Sequence, residues 1–130
     1  MWGVGCIVAE LFVGYPILQG GVADAKTEED NDIDQYLQIC KLAGTPTKST
    51  WPEVDQLPAY QLFTPRERYT RRVQERFRKS FKVHCQAGVD FVDHLLVNNP
   101  AARPDASSAL DHDFLWSDPP PCTPEQYVCC

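Results

Sequence analysis

The chain has 130 residues, of which 43% are apolar, and a net charge of −6 from 12 Lys and Arg against 18 Asp and Glu. This length has room for one domain, the apolar fraction excludes disorder throughout, and the negative charge excludes a protein whose whole surface binds polyanions. The basic residues are concentrated, however. Eight of them lie between Arg66 and Lys82 together with two acidic residues, which gives that stretch a local charge of +6.

The cysteine pattern and the longest apolar run bear on location. The six cysteines are Cys6, Cys40, Cys85, Cys122, Cys129 and Cys130. They form no Cys-x-x-Cys pair of the kind that binds zinc, and no secretory leader precedes them, so we expect reduced thiols inside the cell. The longest apolar run, Met1–Val13, is shorter than the roughly 20 residues of a membrane-spanning helix, so we expect no membrane partner.

The opening sequence MWGVGCIVAELFV predicts a helix that is buried on every side, because its apolar residues occupy all faces. No Ser, Thr, Asp or Asn precedes it to cap the first N–H groups. We therefore expect this helix to belong to a larger unit. Gly14, followed by Tyr15 and Pro16, should end it.

An acidic stretch follows, from Gly20 to Asp34, with six acidic residues and one lysine. This composition predicts a solvated loop. From Asp32 to Ala43 the apolar residues recur at helical spacing. A second, amphipathic helix is therefore predicted, with Asp32 as its cap and Gly44 as its stop.

Residues 45–65 contain four prolines and predict an irregular connection, with one short helical turn before Trp51. The basic segment Arg68–Lys79 then predicts a helix with a thin apolar face. The apolar residues of that face are Tyr69, Val73 and Phe77.

Two further helices are predicted. One covers Ala87–Val97 and is closed by residues 98–100, and the last begins after the capping residue Asp105 and extends towards Phe114. Three consecutive prolines then predict an extended or disordered tail over residues 119–130. Since no segment alternates with a period of two, the fold should be mainly α, with irregular Pro-rich connections.

Three blocks of the sequence resemble the C-terminal lobe of protein kinases. Residues 1–20 (MWGVGCIVAELFVGYPILQG) resemble the central buried helix of that lobe. Residues 33–54 (IDQYLQICKLAGTPTKSTWPEV) resemble the next helix and the Gly-Thr-Pro…Trp-Pro junction of cyclin-dependent kinases. Residues 91–116 (FVDHLLVNNPAARPDASSALDHDFLW) are similar to the last two helices. The resemblance implies the helical rear part of this lobe over residues 1–118.

The resemblance also implies an activity for the parent kinase. The phrases RYTRRV (residues 68–73) and HDFLWSDPPP (residues 112–121) are most similar to the transcription-elongation branch, whose members phosphorylate the C-terminal repeats of RNA polymerase II. A parent of this kind is an ATP-dependent serine/threonine kinase that uses ATP and Mg²⁺, binds a cyclin and a protein substrate, and acts in the nucleus. The core of the lobe should be anchored by Trp2, Trp51 and Trp116.

The sequence lacks the motifs that carry kinase chemistry, namely the glycine-rich loop, the paired strand lysine, His-Arg-Asp, Asp-Phe-Gly and Ala-Pro-Glu. We therefore expect no catalytic, cofactor-binding or metal-binding residue in this chain. It should act as a scaffold without catalysis, with the chemistry supplied by the missing N-terminal kinase region. The alternative is a non-catalytic interaction module that competes for the protein partners of the kinase.

Arg103 matches the family arginine that pairs with a glutamate at the end of the activation segment, a residue that this chain lacks. Since an unpaired buried charge is costly, Arg103 should be solvated or paired with another acid such as Asp105. Asn99 replaces the usual Asp, which should weaken local capping. The basic run could bind nucleic acid or a phosphopeptide, but we expect a solvated helix face and no direct nucleic-acid binding. No metal site is expected from the histidines, which are His84, His94 and His112.

Overall fold

A computed structural model describes residues 1–19, 28–63, 65–80 and 85–117. This part of the chain contains seven α-helices, no strand and two 3₁₀ turns, Val54–Gln56 and Pro100–Ala102. The helices are α1 (Trp2–Val13), α2 (Glu28–Ala43), α3 (Pro58–Phe63), α4 (Val73–Ser80), α5 (Gln86–Leu95), α6 (Ala106–Leu110) and α7 (Asp113–Trp116). The predicted mainly α fold is confirmed. The tail predicted for residues 119–130 lies outside the described residues.

Helix α5 lies at the centre of the fold, where it packs against α1, α4 and α7. The main core joins residues of α1, α4 and α5 with Ala43 at the end of α2. Its fully buried side chains include Ala9, Val73, Phe77, Val92 and Leu96. Each large apolar side chain buried in this way contributes roughly 1.5–3 kcal/mol to the stability of the fold. Helix α4 is therefore held mainly by Val73 and Phe77, which lie on one face.

Helix α1 is buried on one side only, which corrects the prediction of burial on every side. Gly5 and Ala9, one turn apart, face α5. A Cβ at Gly5 would lie 2.8 Å from the Cβ of Leu95, so glycine permits the close approach of the two helices. The other side of α1 leaves Ile7 60% exposed and Leu11 80% exposed.

Two glycines end their helices as predicted. Gly14 (φ 83°) and Gly44 (φ 85°) adopt the left-handed backbone conformation, which residues with a side chain rarely adopt. Their N–H groups donate to the carbonyls of Glu10 and Cys40, at 2.7 and 2.9 Å. The start of α2 was predicted wrongly, since it begins at Glu28 and includes part of the predicted acidic loop.

The basic segment is helical only from Val73. Residues 68–72 instead run beside the end of α2, where Thr45 N–H donates to the carbonyl of Tyr69 and Arg72 N–H donates to that of Leu42, both at 2.9 Å. The hydroxyl of Thr45 also accepts from the N–H of Tyr69. These bonds between distant segments replace the helical bonds that local spacing predicted.

In residues 45–63 the predicted turn before Trp51 is present, because the N–H groups of Thr50 and Trp51 donate to the carbonyl of Thr47, at 3.0 and 2.7 Å. The first 3₁₀ turn and α3 follow Trp51. One further boundary differs from the predictions. The last predicted helix is divided into α6 and α7 because the ring of His112 accepts a hydrogen bond from Phe114 N–H and caps a new helix. In the described ranges, no helix has both the length and the apolar character needed to cross a bilayer.

The cap of α7 should make stability depend on pH. Burial, followed by the charge of His94, lowers the pKa of His112, while Asp113 and Asp90 act in the opposite direction. Because the folded pKa lies below the unfolded value of about 6.5, the unfolded chain gains its proton first as the pH falls. The contribution of His112 is therefore complete above about pH 6.5 and is lost as the pH falls through the folded pKa.

Urea denaturation between about pH 7.5 and pH 5.5 measures this effect, and we expect a lower free energy of unfolding at the acid end. His112→Asn keeps a capping acceptor but does not titrate. Its profile should be flatter than that of the wild-type chain. Identical slopes in the two proteins would show that His112 is not responsible.

Candidate functional site

The loop after α5 is bound by two arginines, the distant Arg71 and the nearby Arg103. Arg71 donates to the carbonyl of Leu96 at 2.7 Å, and to the carbonyl and the carboxylate of Asp93 at 2.6 Å each. Arg103 donates to the carbonyls of Val97 and Asn98, at 3.0 and 3.3 Å. Three successive carbonyls at the end of a helix, where intrahelical partners are lacking, thus accept from guanidinium groups. We call residues 96–98 the arginine-bound loop.

Arg103 is neither a solvated residue nor the partner of an acid. It is partly buried, and its guanidinium carbon lies 5.4 Å from the centre of the Trp2 ring, a cation–π contact. The carboxylate of Asp105 instead accepts from Ser108 N–H at 2.8 Å and caps α6. The expected pairing of Arg103 with Asp105 is therefore wrong, because the loop carbonyls and the indole ring satisfy the guanidinium.

The three predicted anchors differ in their burial. Trp2 is partly buried against the main core, and Trp51 is partly buried beside an apolar hollow. Trp116 is 74% exposed and donates its indole N–H to the carbonyl of Leu110 at 2.7 Å. The prediction that Trp116 anchors the core is wrong for this chain, because α7 presents its last residue to solvent.

The capping role of Asn99 is kept. Its side-chain oxygen accepts from Ala101 N–H at 3.0 Å, so Asn99 caps the second 3₁₀ turn. Next to it, Asn98 donates to the carbonyl of Gly44 at 2.8 Å. The segment after α5 is therefore joined to the end of α2 as well as to the two arginines.

The apolar hollow beside Trp51 has a volume of about 320 Å³ and lies between α2 and α3. The hydroxyl of Tyr60, on its wall, donates to the carbonyl of Pro46 at 3.0 Å. Behind it, burial raises the pKa of the Cys40 thiol, which keeps that group protonated at neutral pH. The hollow is lined by Asp32, Ile33, Tyr36, Pro46, Trp51, Val54, Leu57, Tyr60 and Phe63.

A second concave surface, of about 400 Å³, lies where α2 and α4 meet the segment after α1, and we call it the basic groove. It is lined by Tyr15, Ile17, Gln38, Lys41, Leu42, Arg72, Glu75, Arg76, Phe77 and Lys79. Four of these side chains are cationic and one is anionic. The arrangement can therefore hold an anion.

Metal ligands are not assembled in the part of the chain that the structure describes, where no three His, Cys, Asp or Glu side chains are grouped for a metal. His94 and His112 lie with ring centres 5.2 Å apart. Cys6, Cys40 and Cys85 are free thiols. His84 and the last three cysteines lie outside the described residues.

Arg71 should be important for stability. Hydrogen bonds to charged groups contribute roughly 1.5–3 kcal/mol each, and Arg71 makes three, but its side chain is 35% exposed. We therefore expect Arg71→Ala to lower the free energy of unfolding by about 2 kcal/mol. Arg71→Lys should recover less than half of this loss, because an ammonium group lacks the planar fork of donors.

Chemical denaturation of the variants gives the comparison. Arg78→Ala is the matched control, because Arg78 donates to the side chain of Gln74 at 3.0 Å and lies on the exposed side of α4. That change should stay within about 0.5 kcal/mol. Equal losses for Arg71→Ala and Arg78→Ala would contradict the assigned role of Arg71.

Residues 1–115 match the family model for the protein kinase domain, and the chain therefore belongs to the protein kinase family. Its relatives are cyclin-dependent kinases. They include cyclin-dependent kinase C-2 of Oryza sativa subsp. japonica, which is 40% identical over 96% of this chain and 22% of the relative. Cyclin-dependent kinase 9-B of Xenopus laevis is 40% identical over 93% of this chain and 29% of the relative.

Solved structures agree with this assignment. The yeast RNA polymerase II CTD kinase CTDK-1 complex matches with a TM-score of 0.77 and 28% identity, over 93% of this chain and 37% of that chain. A CAK complex from Chaetomium thermophilum bound to ATP-γ-S matches with a TM-score of 0.77 and 30% identity, over 94% and 35%. The predicted resemblance to the C-terminal lobe of a cyclin-dependent kinase is confirmed. The chain spans less than a third of the length of the relatives named above.

Proposed function

We propose that this chain forms the rear of the C-terminal lobe in a serine/threonine kinase of the cyclin-dependent type, and that it supports the active site without performing catalysis. The kinase-domain match over residues 1–115 carries this proposal. The exposed side of α1 supports it, because Ile7 and Leu11 would each gain roughly 1.5–3 kcal/mol if the remainder of a lobe covered them. The glycine-rich loop and the catalytic motifs are absent from the sequence, so transfer of phosphate requires the rest of a kinase.

For the whole kinase we propose phosphorylation of the C-terminal repeats of RNA polymerase II in the nucleus, with ATP and Mg²⁺ and with a cyclin as partner. Two proteins to which this chain is similar are kinases of the C-terminal domain (CTD), which supports this substrate class. They are the CTDK-1 complex of yeast and the CTD kinase subunit alpha of Schizosaccharomyces pombe, which is 37% identical over 95% of this chain. The structure of the CAK complex with ATP-γ-S supports the nucleotide.

A chimaeric kinase tests both statements. The matching segment of cyclin-dependent kinase 9-B from Xenopus laevis is replaced by residues 1–117 of this chain, and phosphorylation of a repeat peptide is measured with and without cyclin. We expect phosphorylation that depends on cyclin in the chimaera, and none from the 130-residue chain alone.

The control chimaera carries Ile7→Glu and Leu11→Glu, which place two charges on the side of α1 that the rest of the lobe should cover. We expect it to lose activity and thermal stability together. The scaffold proposal would be refuted by a stable, cyclin-bound chimaera that phosphorylates no peptide. Phosphate transfer that increases with the amount of the isolated chain would refute the statement that it lacks catalysis.

A further inference from the structure

The basic groove has a larger positive charge than its neighbouring acid can balance. Among the described residues that line it, the cations are Lys41, Arg72, Arg76 and Lys79, and Glu75 is the one carboxylate. An adjoining hollow shares Lys41 and Arg72 and adds Arg68.

The fold places these cations together by two means. On α4 and the residue before it, Arg72, Arg76 and Lys79 follow the three- and four-residue spacing of a single helix face. The backbone bond from Arg72 N–H to the carbonyl of Leu42 fixes this face beside the last turn of α2, which supplies Lys41. The buried side chain of Phe77 holds α4 in this position.

Among the described residues, Lys41 and Arg72 supply the side-chain donors of the groove that local hydrogen bonds do not use. Glu75 accepts from Lys79 at 2.9 Å, and this bond, together with the charges of Lys79 and Arg72, lowers the pKa of the Glu75 carboxyl. Arg76 donates to the hydroxyl of Tyr15 at 3.0 Å, and that hydroxyl can itself donate a hydrogen bond. The described residues that line the groove thus include four cations and one carboxylate.

We propose that the basic groove binds the phosphate group of a phosphorylated serine or threonine peptide. A phosphate group carries a charge of about −1.5 to −2 and three acceptor oxygens, which suits several cations and the planar fork of arginine. A single carboxylate could use fewer of these donors. The side chains of Ile17 and Leu42 form an apolar wall of the groove, which can pack against the peptide residue next to the phosphorylated one.

The shape of the groove favours a peptide over a nucleic-acid strand. Single strands bind along a continuous basic track with exposed aromatic rings on which the bases stack. Of the two aromatic residues that line the groove, Phe77 is 1% exposed, and Tyr15, which is 47% exposed, is hydrogen-bonded to Arg76. The described residues therefore provide one exposed ring there, not a row of rings. A volume of about 400 Å³ also suits one phosphorylated side chain and its neighbours. This proposal is independent of the kinase activity proposed above.

The test uses the full 130-residue chain and a fluorescent peptide of about 12 residues with one phosphoserine between apolar residues, measured by fluorescence anisotropy. We expect binding at least about tenfold tighter than for the unphosphorylated peptide, which corresponds to one charge-assisted hydrogen bond. Lys41→Glu and Arg72→Glu should each weaken phosphopeptide binding by about tenfold or more.

Arg78→Glu is the matched control, since it makes the same charge change on α4 but lies outside the groove. It should alter the affinity by less than about twofold. Far-UV circular dichroism checks the fold of each variant. Lys41→Gln, which removes the positive charge at an exposed position without adding a negative one, provides a milder second test.

Three results would overturn the proposal. The first is an equal loss of affinity in Arg78→Glu and Arg72→Glu, which would indicate attraction to overall charge. The second is equal affinity for the phosphorylated and unphosphorylated peptides. The third is tighter binding of a single-stranded RNA of about 12 nucleotides that displaces the phosphopeptide, which would assign the groove to nucleic acid.

Discussion

Replacing Gly5 by alanine is expected to lower the free energy of unfolding by about 1–2 kcal/mol, although alanine is the better helix former. The new Cβ would lie 2.8 Å from the Cβ of Leu95 and 3.1 Å from a methyl group of Leu96. The first of these atoms is next to the backbone of α5 and can move only if the helices separate. Overpacking of this kind costs about 1–3 kcal/mol, against a helix-propensity gain of about 0.5–1 kcal/mol.

Gly3 provides the control in the same helix. A Cβ at Gly3 would have no atom within 4 Å, so Gly3→Ala should raise the free energy of unfolding by about 0.5–1 kcal/mol. Gly5→Val should be more destabilising than Gly5→Ala. Guanidinium denaturation followed by circular dichroism measures all three variants. Opposite signs at the two glycines are the decisive outcome, and a stabilised Gly5→Ala would show that α1 and α5 do not approach as described.

Replacing Phe77 by alanine is expected to cost about 3–5 kcal/mol, the largest loss for any substitution considered for this chain. Phe77 is almost completely buried between α4 and the core, and together with Val73 it holds α4 on α5. Domain stabilities are about 5–15 kcal/mol, so this single cavity would remove a large part of the total. We expect a broad thermal transition and the loss of native side-chain signals in the near-ultraviolet.

Phe63, at the end of α3, is the matched control because it is 37% exposed. Phe63→Ala removes the same atoms from a partly solvated position and should cost about 1 kcal/mol. Denaturation midpoints of the two variants make the comparison. A loss below about 1 kcal/mol for Phe77→Ala would mean that α4 is not fixed by this residue.

Features set by neighbouring residues were predictable from the sequence. Gly14 and Gly44 end their helices through left-handed backbone conformations, and Asp105 caps α6, all as local patterns indicated. The burial of Val73 and Phe77 also followed from their four-residue spacing. For the helix ends, the energy that decides the structure comes from residues within one helical turn, whereas the spacing of Val73 and Phe77 indicated the apolar face that packs on distant helices.

Features set by distant residues were not predictable in the same way. Residues 68–72 are extended because their backbone bonds to the end of α2, more than 20 residues earlier. In the candidate site, Arg71 was one of many basic residues in the sequence, and only the fold shows that it binds the arginine-bound loop. Arg103 was identified from a family resemblance, but its actual partners, two carbonyls and an indole ring, carry no sequence signal.

The basic run, residues 66–82, has features that the sequence predicts and features that depend on the fold. Its charge was evident, and a solvated face was expected for it. The fold separates its members, since Arg71 faces the arginine-bound loop, Arg78 lies on the exposed side of α4 and Arg72 lines the basic groove. The helical spacing of Arg72, Arg76 and Lys79 was the available signal. The contribution of Lys41 required knowledge of how α2 and α4 pack.

The contact between Gly5 and Leu95 has a consequence for synthesis on the ribosome. The two residues are about 90 positions apart, so α1 emerges long before the helix that covers its buried side. At roughly 5–20 residues per second, the ribosome needs about 5–18 seconds to add the intervening chain. During this interval both apolar sides of α1 lack their partners. Nascent chains that have reached only α2 should therefore be bound by chaperones more strongly than chains that extend beyond α5.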